Sequence, residues 1–240
     1  MSEAHDKYIE LQRMRNVAPD GLDPASTALV IVDMQNYFVD PDSPLSRMAE
    51  SQVPGVLSWY HERSRDVVEP ALQGLLASFR ERGAPVIFTT VASERADGRD
   101  LMPIFQGRNA AARGRQLPHF IPHQDDEWAQ IVPGLAPGAD ELVVNKSTYG
   151  TFTSTGLDRT LRHLGVTTVV IGGVVTNVCV ETTARDAADL GYEVIMVSDG
   201  CAAYSAEIQE ATMLSFMGPF GAVLNANEVS ALFEGGPEQA

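Results

Sequence analysis

Along most of this chain, short unbroken apolar runs alternate with stretches whose apolar residues recur at helical spacing. "TALVIVDM" (27–34) is a continuous apolar run ending in an acid, the pattern of a strand buried on both faces. From Val68 onward, Leu72, Leu75, Leu76 and Phe79 follow helical spacing. Pro70 fits only the first turn of that helix, and Gly83 closes it. "PVIFTTV" (85–91) predicts the next strand. Further on, strands are predicted over 141–146, 167–173, 192–199 and 221–225. Helices are predicted over 155–165, 177–190, 206–217 and 227–233, with Gly165 and Gly191 as stops.

Strands that alternate with helices imply right-handed βαβ units and a mainly parallel sheet. The fold class expected is therefore α/β: a single domain with six strands and helices on both faces, a Rossmann-like three-layer sandwich. Residues 26–240 form this domain, and residues 1–25 are an N-terminal extension. The regular pattern fails over 92–140, which reads as a long insertion loop holding Arg95, Arg99, Arg108, Arg113, Arg115, His119 and His123. A loop of that length in a compact domain is usually functional or part of an interface.

In an open parallel sheet, ligands bind beyond the carboxyl ends of the strands. Asp33 ends the first strand, Lys146 ends the third, and Cys179 follows the fourth on the opening turn of a helix. An acid, a cation and a thiol are thereby predicted to meet at one edge. The start of the helix, with Thr176 or Asn177 as its cap, together with the charge of Lys146, is expected to make the thiol ionise more easily. Among the neighbours, Phe38, Tyr149 and Phe152 are candidate pocket walls, and Asn36 is a candidate polar contact. Arg95 and Arg108, in the long loop, are further candidates to line the pocket. Cys201, in "VSDGC", reads as structural.

Composition narrows the partners. Thirty-two acidic against seventeen basic residues leave a formal charge of −15, which argues against nucleic acid or an anionic membrane surface as partner. No apolar run approaches a membrane span, and "MSEAHDKYIELQRMRN" lacks the apolar core of a signal peptide. A cytoplasmic location is the expectation, with reduced thiols.

"ALVIVDMQNYF", "VVNKSTYGTF" and "GGVVTNVCVETTARDA" resemble the three motifs of the isochorismatase-like cysteine hydrolases, over about residues 26 to 233. The resemblance implies a catalytic triad of Asp33, Lys146 and Cys179. It also implies a cis peptide between Val174 and Val175, and an oxyanion hole made by the N–H groups of Val175 and Cys179. Nicotinamidases of that family carry an Asp and several His as metal ligands after the second strand. Here that segment reads "TTVASERADGRD", without His, so no metal and no cofactor is implied. Isochorismatases that cleave a vinyl ether often lack the cysteine. Cys179 therefore favours hydrolysis of an amide, ureido or carbamoyl C–N bond in a small molecule. "TNVCVETTARD" and "TYGTF" are most similar to the ureidoacrylate amidohydrolase branch, and Met217 stands where biuret hydrolases usually place Gln. A homo-oligomer, dimer or tetramer, is expected. The alternatives are a vinyl-ether hydrolase and a non-catalytic binding module with a redox-sensitive Cys179. A degenerate member would be expected to lose Asp33 or Lys146, and both are kept.

Overall fold

The computed structural model describes residues 3–115 and 119–235. Residues 1–2, 116–118 and 236–240, which fall in the expected extension, long loop and domain end, lie outside the described residues. In chain order the helices are α1 (Glu3–Met14), α2 (Asn36–Val39), α3 (Pro44–Gln52), α4 (Ser58–Arg63), α5 (Glu69–Glu81), α6 (Pro103–Gly114), α7 (Thr151–Ser154), α8 (Leu157–His163), α9 (Glu181–Asp189), α10 (Ala206–Phe216) and α11 (Ala226–Leu232). The strands are β1 (Thr27–Val32), β2 (Val86–Val91), β3 (Leu142–Lys146), β4 (Thr168–Val174), β5 (Glu193–Ala202) and β6 (Ala222–Leu224).

The strands form one sheet in the order β3-β2-β1-β4-β5-β6, each neighbouring pair parallel. The apolar runs are unbroken because alternate side chains serve two cores. Leu29 and Ile31 of β1, with Val170 and Ile195, pack against Leu72, Leu75, Leu76 and Phe79 of α5. Ala28, Val30 and Val32, with Val169 and Met196, face Leu161, Ala184, Ala187 and Phe216 on the opposite side. Strand order reverses between β1 and β4, and a crevice opens at such a reversal. Gly173 permits it: its φ is +126°, and a Cβ there would collide with the Val32 backbone.

One expectation is revised and two are extended. The 92–140 stretch is not irregular throughout, since it contains α6 and two short 3₁₀ turns at Glu127–Ala129 and Pro133–Leu135. The helix read from Val68 is preceded by α4 and a π-helical turn, Ser64–Val68. Finally, α1 lies in the expected extension and is tied to the domain by polar contacts. Gln12 Nε2 donates to the Leu214 and Met217 carbonyls, and Asn16 exchanges two hydrogen bonds with the Val223 backbone.

Candidate active site

Asp33 follows β1 with φ +52°, a left-handed conformation that Asp tolerates better than most residues. Its N–H continues the ladder to the Thr89 carbonyl at 3.1 Å. Its carboxylate is fully buried and held at both oxygens. Thr89 Oγ1 donates to Oδ1 and Lys146 Nζ to Oδ2, each at 2.7 Å. Lys146 is the last residue of β3, two strands away, and only a long side chain could cross β2 to this point. Its ammonium is saturated, with further bonds to the Thr148 carbonyl at 3.1 Å and to Cys179 Sγ at 3.5 Å. The three strand-end residues thus converge on one ammonium.

Burial disfavours the Lys146 cation, but the charges of Asp33 and Cys179 outweigh that effect and raise its pKa above the usual lysine value. The thiol of Cys179 moves opposite to expectation. Burial pushes its pKa well up, and the Asp33 carboxylate adds to this by charge and hydrogen bonding. Lys146 offsets only part of the rise. The resting site therefore holds a protonated thiol beside a base.

Cys179 lies in a π-helical turn, Thr176–Val180, that leads into α9. The Val174–Val175 peptide is cis, as the family resemblance implies. Val178 and Val180 both donate to the Val175 carbonyl, at 3.0 and 3.3 Å. Neither Thr176 nor Asn177 caps the turn: Val175 occupies the cap position, and no side chain bonds there. Thr176 Oγ1 instead donates to Gln209 Oε1 at 2.6 Å. Gln209 also accepts from the Ala203 N–H and donates to the Ser198 carbonyl, so it pins the turn to β5.

The remaining candidates divide. Tyr149 meets Phe105 of α6 edge-on, ring centres 4.9 Å apart, and Phe38 meets Tyr37 in the same way at 5.2 Å. Both are half-buried around the apolar cluster of Val91, Leu101, Phe105 and Ile121. Phe152 goes elsewhere: its ring lies 6.0 Å from that of Tyr192, in the core beside α8 and α9. Asn36 spends its amide on the Glu127 carbonyl at 3.1 Å, fastening α2 to the loop. Arg95 is engaged by both oxygens of Asp97 at 3.0 Å and points to solvent. Arg108, by contrast, lines a cavity of about 260 Å³ together with Tyr37, Arg115, His119 and Phe120.

Sequence reading missed Thr89, Gln209 and a pair of tyrosines, buried Tyr60 and exposed Tyr204. Tyr60 and Tyr204 pack with ring centres 5.2 Å apart, and both interact electrostatically with Cys179. The strand-end rule could have found one of them: Tyr204 follows the end of β5, whereas Thr89 lies within β2, in register with Val32. Tyr60 has no such signal.

The metal set of a nicotinamidase does not fit. Among the described residues no three His, Cys, Asp or Glu side chains gather to hold an ion. His123 faces the Glu94 carbonyl at 3.3 Å, while His119 lines the cavity. Cys201 is buried in β5.

Comparison with known proteins agrees with this geometry. The isochorismatase domain matches residues 27–228. A ureidoacrylate amidohydrolase of Methylobacterium radiotolerans is 33% identical over 188 residues, covering 75% of this chain and 69% of that protein. Nicotinamidase 3 of Arabidopsis thaliana is 29% identical over 209 residues, covering 86% of this chain and 89% of that protein. The solved structure of a cysteine hydrolase from Pseudomonas syringae pv. phaseolicola superposes with a TM-score of 0.72 at 28% identity, across 89% of this chain and 95% of that one. A domain match over most of the chain, on a sheet that brings its three motifs together, makes this protein a member of the isochorismatase family.

Proposed function

We propose that this enzyme hydrolyses an amide, ureido or carbamoyl C–N bond of a small molecule through a thioester on Cys179. The observation that carries this reading is the placement of the Lys146 ammonium between Asp33 Oδ2 at 2.7 Å and Cys179 Sγ at 3.5 Å, all three groups buried. The amidohydrolase names of two relatives support the same bond class.

Asp33 acts as general base, taking the thiol proton as Sγ attacks the carbonyl carbon. The thiol needs this help because burial and Asp33 itself hold it protonated at rest. Lys146 stabilises the thiolate as it forms, and the N–H groups of Val175 and Cys179 receive the oxyanion. Such a donor is typically worth about 10²–10³ in turnover. Collapse of the intermediate breaks the C–N bond, and protonated Asp33 gives its proton to the departing ammonia or amine. Asp33 then takes a proton from water, whose oxygen attacks the thioester. The proton returns to the sulfur as the acid leaves.

The test is release of ammonia or amine from a panel of small amides, ureido acids and carbamoyl amino acids. Turnover of at least one class that disappears in Cys179→Ala supports the reading. Release that persists in Cys179→Ala, or turnover of vinyl ethers alone, overturns it.

A further inference from the structure

The turn that carries Cys179 is tied to a residue outside all three motifs. Thr176–Val180 has no side chain bonded at its cap, so its place is not fixed from its own start. Buried Thr176 instead donates its hydroxyl to Gln209 Oε1 at 2.6 Å, near the short end of the hydroxyl range. Gln209 is itself held firmly. It is buried on α10, its N–H donates to the Ser205 carbonyl at 3.0 Å, and Ser205 caps that helix. Its Oε1 also accepts from the Ala203 N–H at 2.9 Å, and its Nε2 donates to the Ser198 carbonyl at 3.3 Å. Two donors at one end and an acceptor at the other fix which way the amide points.

Those bonds reach an irregular stretch of β5. Its register with β4 breaks after Ile171–Met196 and resumes at Gly173–Cys201, so residues 197–200 bulge out of the ladder. Arg63 holds the same stretch, its guanidinium donating to the Ser198 carbonyl at 2.7 Å and the Cys201 carbonyl at 2.8 Å. Arg63 ends α4, whose Tyr60 packs in the core of α5, whereas Phe216 of α10 packs in the opposite core. The bulge is thus gripped from both faces of the sheet. Beyond it, Cys201 and Ala202 pair with Gly173 and Val174, the residues that lead into the turn. Bulge and turn meet at one amide.

From this convergence we infer that Gln209 is a positioning residue for the reaction at Cys179. It couples the β5 bulge to the Thr176–Val180 turn, and so sets where the sulfur and the N–H groups of Val175 and Cys179 stand. It acts through Thr176 rather than on the substrate. A displacement of about 1 Å in such a site costs on the order of a hundredfold in rate, so the effect belongs in kcat. The inference rests on the proposed thioester chemistry and deepens it.

The experiment uses Gln209→Leu, which removes all three side-chain bonds, and Thr176→Val, which removes one. In both, kcat falls by about tenfold to a hundredfold while KM stays within about twofold of wild type. An aldehyde analogue of the substrate gives a readout that a merely structural role would not move. Cys179 Sγ adds to its carbonyl carbon, the thiol proton passes to Asp33, and the oxygen is left as the oxyanion. Its inhibition constant should therefore rise in step with the fall in kcat. Thr176→Ser, which keeps the hydroxyl, recovers most of the rate, and adding Thr176→Val to Gln209→Leu costs little more than Gln209→Leu alone. Unchanged kcat in folded Gln209→Leu, an effect confined to KM, or an aldehyde bound as tightly as by wild type overturns the inference and leaves C–N hydrolysis standing. Where Gln209→Leu does not fold, Thr176→Val decides on the same measurements. If wild type turns over no amide, the hydrolase reading fails, and hydrogen exchange judges the coupling alone. Peptides covering 174–180 must then exchange at least about tenfold faster in Gln209→Leu or Thr176→Val than in wild type. Equal exchange overturns it.

Discussion

Lys146 Nζ lies 2.7 Å from Asp33 Oδ2 although a whole strand, β2, separates the two residues' own strands in the sheet. Neither side chain has access to water, so each charge depends on the other. Replacing Lys146 by Met leaves the carboxylate buried and unpaired, and the cost expected is about 3–5 kcal/mol of folding stability. Urea denaturation measures it. Adding Asp33→Asn should recover part of the loss, because the stranded charge is then gone. A Lys146→Met protein as stable as wild type would show that the pair is not closed to solvent.

Thr89 tests the orientation of the base. Its hydroxyl is the second hydrogen bond on the carboxylate, 2.7 Å from Oδ1. A hydrogen bond to a charged group is worth about 1.5–3 kcal/mol. Thr89→Val should therefore lower kcat by roughly ten- to a hundredfold, while Thr89→Ser keeps most of it. Steady-state kinetics at saturating substrate decide, and equal kcat in Val and Ser variants would remove the residue from the mechanism.

The thiol offers a pH test with a definite sign. Burial and then Asp33 raise the Cys179 pKa above the ordinary thiol value, so at any given pH the thiolate fraction is below that of a free cysteine. Iodoacetamide labelling of Cys179 should be slow at neutral pH and keep rising beyond the pH at which a free thiol levels off. The same shift means that this group contributes stability below the unfolded thiol's pKa, and that this contribution is lost as pH rises further. A labelling rate already flat at neutral pH would reveal a preformed thiolate and dismiss Asp33 as its base.

Metal dependence is also open to direct measurement. With no gathered ligand set among the described residues, full activity should survive exhaustive chelation. Activity lost on chelation and restored by zinc, iron or manganese would contradict this.

Much of this site was legible because strand ends are legible. Runs such as that of β1 are unbroken when both faces are covered, and they stop where the chain leaves the sheet, which located Asp33, Lys146 and Cys179 without coordinates. Helix α6 escaped because its buried residues are Phe105, Asn109 and Ala112, an amide and a methyl among them, so no apolar stripe marks it. Helix α1 escaped for a similar reason, since its anchors are amides, Gln12 and the nearby Asn16. Arg95 and Arg108 looked alike as letters. What separates them is Asp97, two residues from Arg95, against the ring of Phe120, brought to Arg108 by the fold. The direction of the thiol's shift depends on burial, which the spacing of residues does not encode.

The thioester is the central claim, and acid-quench mass spectrometry reaches it most directly. Wild-type enzyme mixed with a turned-over substrate and quenched during the first turnovers should show the mass of the acyl group on the peptide containing Cys179. The adduct should be cleaved by hydroxylamine and be absent from Cys179→Ala. Turnover without any such adduct, together with activity remaining in Cys179→Ala, would mean that water attacks the substrate directly and that Cys179 is not the nucleophile.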